Sequence, residues 1–129
     1  MNHTAYADAS AAAARAMEAM RELSYGTELS SPVDVSEVLA SLELTAELLP
    51  VICGQLAAWL DDEAEGARLQ AQDGPFADDV PAAVATTIHW LTHTAELADE
   101  MRRALGNARA AAIGLVSAVN GDEAARSNS

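Results

Sequence analysis

The stretch VLASLELTAELLPVICGQLAAWLDDEAEG, residues 38–66, gives this chain its strongest structural signal. Apolar residues recur in it at steps of three and four in a seven-residue pattern, which is the spacing of one face of an α-helix. Asp34 and Glu37 have the spacing of a capping box, so a helix is predicted from residue 34 to a point between Glu65 and Gln72. Its predicted buried face comprises Val35, Val38, Leu39, Leu42, Ala46, Leu49, Ile52, Cys53, Leu56, Trp59 and Leu60.

Pro50 lies inside this predicted helix. Proline normally ends or kinks a helix, because it lacks an N–H and clashes with the preceding turn. The apolar pattern keeps its phase on both sides of Pro50, which favours one kinked helix over two separate ones. With Leu49 and Leu56 facing the core, we expect Pro50 on the outer, solvent side of the helix.

A shorter helix is predicted before this one. It runs from about Ala5 to Ser24, with Thr4 as its N-cap and Gly26 as its C-terminal stop. Apolar residues at three- and four-residue steps give it one buried face.

A third helix is predicted after the turn Asp73-Gly74-Pro75, with Asp78 or Asp79 as its N-cap and Pro81 in its first turn. It runs to about Asn120. A break at Gly106 would make a fourth helix, but the unbroken apolar phase favours a single one. Its predicted buried face comprises Val84, Ile88, Leu91, Ala95, Ala98, Met101 and Leu105, continued by Ala108, Ala112, Leu115, Val116 and Val119.

Together these elements predict an all-α fold. We expect an elongated up-down bundle of three helices, or four if the chain breaks at Gly106, built on a long antiparallel hairpin. One domain is expected over residues 1–121, followed by a disordered tail, 122–129. At about 1.5 Å per residue the two longer helices reach roughly 50 and 60 Å, but the first only about 30 Å, so it covers only the half of the hairpin far from the turn.

The uncovered half of the hairpin, called here the hairpin tip, holds three of the five aromatic residues. Large exposed apolar surface usually marks an interface. The sequence therefore predicts a protein interaction module, with a second copy forming a homodimer as the simplest partner. The alternative is a fourth helix that folds back over the tip. The hairpin tip comprises Leu56, Trp59, Leu60, Phe76, Val84, Ile88 and Trp90.

The net charge is −13, and residues 28–79 carry twelve acids and one arginine, a net charge of −11. This charge argues against direct binding to nucleic acid or to anionic membranes, which require a basic surface. It supports an alternative function, an acidic inhibitor or nucleic-acid mimic that binds a basic protein surface through residues 28–79. The acidic face of the second helix comprises Glu37, Glu43, Glu47, Asp61, Asp62 and Glu65.

The sequence contains no recognisable catalytic or nucleotide-binding motif, so we expect neither enzymatic activity nor a cofactor. His89 and His93, with Glu96 and Glu100, could present metal ligands along one helix stripe. That stripe lies opposite the predicted buried face, and exposed histidines are the simpler interpretation. Cys53 is the single cysteine and is interpreted as a core residue rather than a nucleophile.

The chain begins without a basic segment typical of a secretion signal, and its longest apolar run, 48–60, is shorter than the roughly 20 residues that cross a membrane. A cytoplasmic location is expected, with export by a signal-less route left open. Residues 38–66, set in an alanine-rich chain without lysine, resemble small uncharacterised helical proteins of actinobacteria. The resemblance extends over residues 34–120 and implies no activity.

Overall fold

A computed structural model describes residues 8–118, which form three α-helices and no strand: α1 (Ala9–Ser24), α2 (Pro32–Glu65) and α3 (Val80–Ala112). The predicted all-α fold is confirmed, and α2 packs on α3. The chain divides into two compact units, Met1–Ser30 and Ser31–Ser129, which are described separately. The single domain over residues 1–121 and the cover expected from α1 stay predictions, and the tail 122–129 lies outside the described residues.

Helix α1 begins at Ala9 because Asp8 caps it. One carboxylate oxygen of Asp8 accepts hydrogen bonds from two backbone N–H groups of the first turn, at 2.9 and 3.3 Å. The predicted cap Thr4 and the predicted start Ala5 lie outside the described residues. Gly26 follows the helix with φ +91°, as expected of a C-terminal stop. None of the residues of α1 is buried.

Helix α2 begins at Pro32, and Ser31 rather than Asp34 occupies its N-cap. Proline is favoured in the first helical turn, where its missing N–H costs no hydrogen bond. The helix ends at Glu65, where the guanidinium of Arg68 donates a hydrogen bond of 3.1 Å to a carbonyl of the last turn. This bond satisfies one of the carbonyls that a helix end leaves without a partner.

Helices α2 and α3 run antiparallel, as predicted. Glu43 pairs with Arg109, whereas Leu60, further along α2, borders the same groove as Val84, near the start of α3. Residue numbers therefore rise along α2 as they fall along α3. The two helices form the hairpin of the unit Ser31–Ser129.

The hairpin turns within the loop 66–79. Gly74 has φ +85°, a left-handed conformation that glycine adopts at little cost. Asp79 then caps α3, because its carboxylate accepts a hydrogen bond of 3.1 Å from the N–H of Ala82. Pro81 lies in the first turn, as predicted.

Helix α3 continues through Gly106 without a break, so no fourth helix begins there. It ends at Ala112 rather than at Asn120, because Gly114 follows with φ +92°, which a right-handed helix does not allow. Two residues predicted to continue the buried face lie beyond this end and are exposed: Leu115 and Val116. The predicted Val119 lies outside the described residues.

The face of α2 that packs on α3 differs from the prediction. From Leu42 onward the buried and half-buried positions repeat every 11 residues rather than every seven. The period of about 3.67 residues per turn is closer to the 3.6 of a straight helix than the 3.5 of a seven-residue repeat. As a result Ile52, Leu56 and Trp59 turn away from α3 and are exposed. The packed positions are Leu42, Ala46, Leu49, Cys53, Ala57, Leu60 and Ala64. Three further residues of α2 and α3 predicted to be buried are also exposed: Val35, Met101 and Ala108.

Pro50 is half-buried and faces α3, not solvent as predicted. The change of repeat explains this position, because it rotates Pro50 toward the helix contact. There Pro50 borders a small groove together with Gly54, Ala57 and Leu91. The small side chains beside the proline ring leave room for it between the helices.

The core of the hairpin consists of small residues. Within residues 8–118 the buried apolar residues are Ala46, Cys53, Val84 and Ala98, so the prediction of Cys53 as a core residue is confirmed. Eighteen large apolar residues in the same part of the chain are exposed, so much of the apolar surface lies outside this core. No helix in the described range has both the length and the apolar character needed to cross a membrane.

Candidate protein-binding face

Helix α2 carries different chemistry on its two sides. Successive residues of an α-helix turn by about 100°, which fixes where each residue points relative to α3. Apolar residues lie on one side, about 70–150° from the direction of α3: Leu48, Ile52, Leu56 and Trp59. Acids lie on the other side, at about 70–110°: Glu43, Glu47, Asp61 and Glu65.

Helix α3 has a similar division. The residues that face α2 repeat every seven positions, including Val84, Leu91 and Ala98. A second apolar stripe lies about 90–130° to one side of them and is exposed: Trp90, Leu97 and Met101.

Two grooves indicate which sides of the helices share a face of the hairpin. Asp61 and Glu65 border an open groove of about 660 Å³ together with Ala85 of α3. A second groove, of about 150 Å³, joins Gly54 to Thr92 on the same side. The acidic side of α2 thus adjoins the side of α3 that lacks the second apolar stripe, and the two apolar sides share the opposite face. This apolar face comprises Leu48, Ile52, Leu56, Trp59, Trp90, Leu97 and Met101.

Over residues 41–60 of α2 and 83–108 of α3, no charged residue points to the apolar face. The ionisable residues of these segments point elsewhere by the same geometry: Glu43, Glu47, Glu96, Asp99 and Arg103 to the opposite side, Glu100 away from α2, and Arg102 toward it. Charged residues are depleted at the centres of protein interfaces. The apolar face therefore has the composition of an interface centre.

The tryptophans are the most exposed members of the apolar face, with Trp59 58% and Trp90 59% accessible. The indole ring of Trp90 makes edge-to-face contacts with the rings of His89 and His93, at centroid distances of 5.1 and 5.8 Å. Such contacts favour one ring orientation. Trp90 is thus supported from its own helix while its ring remains accessible.

The threonines beside these residues have satisfied hydroxyl groups. The hydroxyl of Thr94 donates to the carbonyl of Trp90 at 2.7 Å, and that of Thr45 donates to the carbonyl of Ser41 at 2.9 Å. A hydroxyl bonded in this way needs no partner from a docking surface. Thr45 and Thr94 can therefore be covered by apolar groups at low cost.

The residues of the predicted hairpin tip do not form one patch. Leu56, Trp59 and Trp90 are exposed, whereas Leu60, Phe76 and Ile88 are half-buried. Val84 is 9% accessible and belongs to the core between α2 and α3, which corrects its assignment to a partner surface.

The exposed apolar surface instead runs along one face of the hairpin. It includes four residues that the sequence interpretation did not assign to a partner: Leu48, Ile52, Leu97 and Met101. The sequence does indicate a second stripe that contains Leu97 and Met101, because Trp90, Leu97 and Met101 follow steps of seven and four residues. We missed this stripe because we assigned a single apolar face to each helix.

Glu43 was assigned to the acidic face, but its side chain reaches across to Arg109 of α3. Its carboxylate accepts a hydrogen bond of 2.7 Å from Nε of Arg109, and its side chain is 22% accessible. A Cβ atom at Gly106 would lie 3.1 Å from the same carboxylate, so the glycine leaves room for this ion pair. The other five acids of the set are exposed: Glu37, Glu47, Asp61, Asp62 and Glu65.

The hydrogen bond from Arg109 holds the pKa of Glu43 below its ordinary value of 4.5 and raises the pKa of Arg109. A carboxyl group whose pKa is lower in the folded state stabilises the fold above the pKa of the unfolded chain. This contribution disappears as the pH falls through the pKa of the folded state. The pair should therefore stabilise the hairpin at neutral pH and lose its effect in acid.

Replacing Glu43 with glutamine should lower the melting temperature of the hairpin at pH 7. The difference from the unmodified chain should begin to shrink as the pH falls below about 4.5, the pKa of Glu43 in the unfolded chain, and should disappear as the pH falls through the lowered pKa of Glu43 in the folded chain, where its carboxyl group becomes protonated. Melting followed by circular dichroism between about pH 3 and pH 7 measures it. Glu47→Gln, an exposed acid on the same helix, should leave the melting temperature nearly unchanged. A Glu43→Gln effect of equal size at both ends of this pH range would contradict the ion-pair explanation.

His89 and His93 are exposed and lie beside Trp90. Nδ1 of His93 lies 3.8 Å from a carboxylate oxygen of Glu96. Within residues 8–118 no group of three or more His, Cys, Asp or Glu side chains is arranged to hold a metal ion. The geometry of the hairpin thus supports the apolar face as the candidate site.

The chemistry of this face is that of contact with another apolar surface. Its side chains are large and accessible, and the hydroxyl groups of Thr45 and Thr94 are already bonded. The charged residues of the neighbouring segments point away from it. In comparisons with protein-family models, curated proteins and solved structures, no family, relative or structure matches this chain.

Proposed function

We propose that this protein is a helical interaction module that binds another protein chain through its apolar face. It acts as an adaptor, a regulator or a structural dimer rather than as an enzyme. The observation that supports this function is the accessibility of seven large apolar side chains on one uncharged face. The proposed location is the cytoplasm, a reducing compartment that suits a chain whose single cysteine is free.

The small core of the hairpin supports the same proposal. Four apolar residues are buried within residues 8–118, and none of the large ones is fully enclosed. Burial of apolar surface provides the main favourable free energy of folding, about 25 cal/mol per Å². A partner that covers the apolar face would add to this free energy and stabilise the folded hairpin by mass action.

Combined replacement of Trp59 and Trp90 with alanine should weaken partner binding at least about 30-fold, because tryptophans at interface centres commonly contribute 2 kcal/mol or more. The measurement is the amount of partner protein that the immobilised protein captures. It is made once with an extract of the host and once with a solution of the untagged chain itself. Circular dichroism should show unchanged helix content, since both side chains lie outside the core.

Tyr25→Ala is the matched control, because it removes an aromatic side chain that is 80% accessible and lies outside the apolar face. It should leave capture unchanged. Equal capture by the double tryptophan variant and by the unmodified chain would contradict the proposed function.

An acidic inhibitor or nucleic-acid mimic is the second candidate. Helix α2 contains eight acids and no basic residue, and five members of the acidic face are exposed. Binding through these acids should weaken steeply between about 50 and 500 mM salt, because ions screen exposed charges. Binding through the apolar face should persist. The same capture experiment at both salt concentrations therefore separates the two candidates.

A further inference from the structure

We infer that the occupant of the apolar face is a second copy of this chain, packed face to face with its hairpin turn at the opposite end. This inference rests on the proposed function and names its partner. The resulting dimer is an antiparallel four-helix arrangement in which α2 lies across from α2 of the partner, and α3 across from α3.

The apolar face is nearly symmetric about its own centre. On α2, Leu48 and Leu56 lie four residues to either side of Ile52. Residues 50–57 of α2 border the same groove as residues 91–95 of α3, so Ile52 lies level with the segment 92–96 of α3. Trp90 and Met101 lie on either side of this level.

A two-fold axis at this level therefore superposes the face on itself. In a two-fold interface the same patch serves both copies, so that each contact occurs twice. Here Ile52 meets Ile52 of the partner subunit at the axis. Leu48 then lies across from Leu56 of the partner subunit, and Trp90 across from Met101 of the partner subunit. Five of the seven residues of the apolar face thus meet an apolar counterpart. The other two, Trp59 and Leu97, lie across from Thr45 and Thr94 of the partner subunit, whose hydroxyl groups are already bonded within their own helices.

The area of the face is sufficient for a specific dimer. A half-exposed Leu, Ile or Met presents about 60 Å² of side chain, and each of the two tryptophans about 140 Å². One copy thus offers about 600 Å², and the dimer would bury about 1,200 Å² in total, near the lower end of specific interfaces.

The distribution of charge selects the orientation of the second copy. Residues 61–79, around the turn, carry seven acids and one arginine. Turns at the same end of the dimer would bring these acids together, and like charges repel. Turns at opposite ends keep the two acidic turns apart. The antiparallel arrangement is therefore favoured.

Cysteine cross-linking tests this arrangement in the full chain. With Cys53 replaced by alanine, Ile52→Cys should form an intermolecular disulfide under mild oxidation with oxidised glutathione. The two Cα atoms at the axis come within the short distance, about 4.4–6.8 Å, that a disulfide requires. Val51→Cys in the same background is the control, because its side chain is 56% accessible but turns away from the face.

We expect at least ten times more cross-linked dimer from Ile52→Cys than from Val51→Cys. A mixture of Leu48→Cys and Leu56→Cys chains should give the mixed disulfide in preference to either homodimer. Equal cross-linking at positions 51 and 52 would overturn the inference, as would a dimer in sedimentation that forms no disulfide at position 52.

The failure of this inference can be distinguished from failure of the proposed function. The chain could sediment as a monomer and still capture another protein through Trp59 and Trp90. This result would contradict the inference of a second copy and would leave the proposed interaction module supported. If the chain neither associates with itself nor captures another protein through its tryptophans, the inference and the proposed function are both contradicted.

Discussion

Replacing Ile52 with glutamate should turn the dimer into a monomer across the micromolar concentration range. The substitution places two carboxylates against each other at the two-fold axis of an apolar interface. Burying an unpaired charge costs several kcal/mol, and each 1.4 kcal/mol corresponds to a factor of ten in Kd. We therefore expect the dimer to weaken by more than about 100-fold. Sedimentation equilibrium between about 1 and 200 µM measures the effect.

The neighbouring substitution Val51→Glu provides the matched control. It adds the same charge to the same helix, at a residue of similar accessibility that points away from the apolar face. Because Ile52 lies outside the hairpin core, Ile52→Glu should retain its helix content. A dimer of unchanged strength in Ile52→Glu, or an equal loss in Val51→Glu, would show that the interface lies elsewhere.

Salt should have the opposite effect on this dimer from its effect on binding through the acidic face. Each copy carries a net charge of −13, so two copies repel each other. Added salt screens this repulsion, and the dimer should hold or strengthen as salt rises.

Replacing Ala98 with glutamate should unfold the hairpin or lower its melting temperature by at least about 12 °C. Ala98 is 3% accessible and lies between α2 and α3. A carboxylate there would be buried without a partner and would also overfill the contact, at a combined cost of about 3–5 kcal/mol. A change of 1 kcal/mol shifts the melting temperature of a domain this size by about 4–8 °C. Thermal melting followed by circular dichroism measures the loss.

Ala104→Glu is the control for this experiment, because it makes the same change at an exposed position of α3. It should shift the melting temperature by no more than a few degrees. Similar melting temperatures for the two variants would show that Ala98 is not enclosed by the hairpin.

The features that the amino-acid sequence predicted correctly are those with local causes. Asp79 caps α3 through its own first turn, and Gly26 and Gly74 adopt the positive φ angles that end a helix or form a turn. The buried face of α3 was predicted correctly as far as Ala98, because that helix has only one continuous stripe of large apolar residues in its first half.

The packed face of α2 could not be chosen from the sequence. Between Leu42 and Leu60 the helix carries apolar residues on nearly all sides, so a seven-residue and an 11-residue repeat both fit. A helix that is apolar all round gives no periodic signal to separate its buried face from an exposed one. The packing of α2 on α3 determines which face is buried, so that Pro50 faces α3 and Trp59 is exposed.

The position of Glu43 has the same kind of cause. An acid on a helix otherwise rich in acids is expected at a solvated surface, and nothing near it in the chain suggests otherwise. Its partner Arg109 lies 66 residues away and reaches it only when the hairpin closes. The assignment to the acidic face was wrong because a long-range ion pair leaves no local pattern.

Helix content, the cap of α3 and the antiparallel hairpin followed from the order of the residues alone, since caps, turns and helical periodicity act within a few positions of the chain. The docking of α2 against α3 set which apolar stripe is covered and which remains as the apolar face. Two stripes of similar hydrophobicity compete for one contact, and the outcome depends on how closely small residues such as Ala46 and Ala98 let the helices approach.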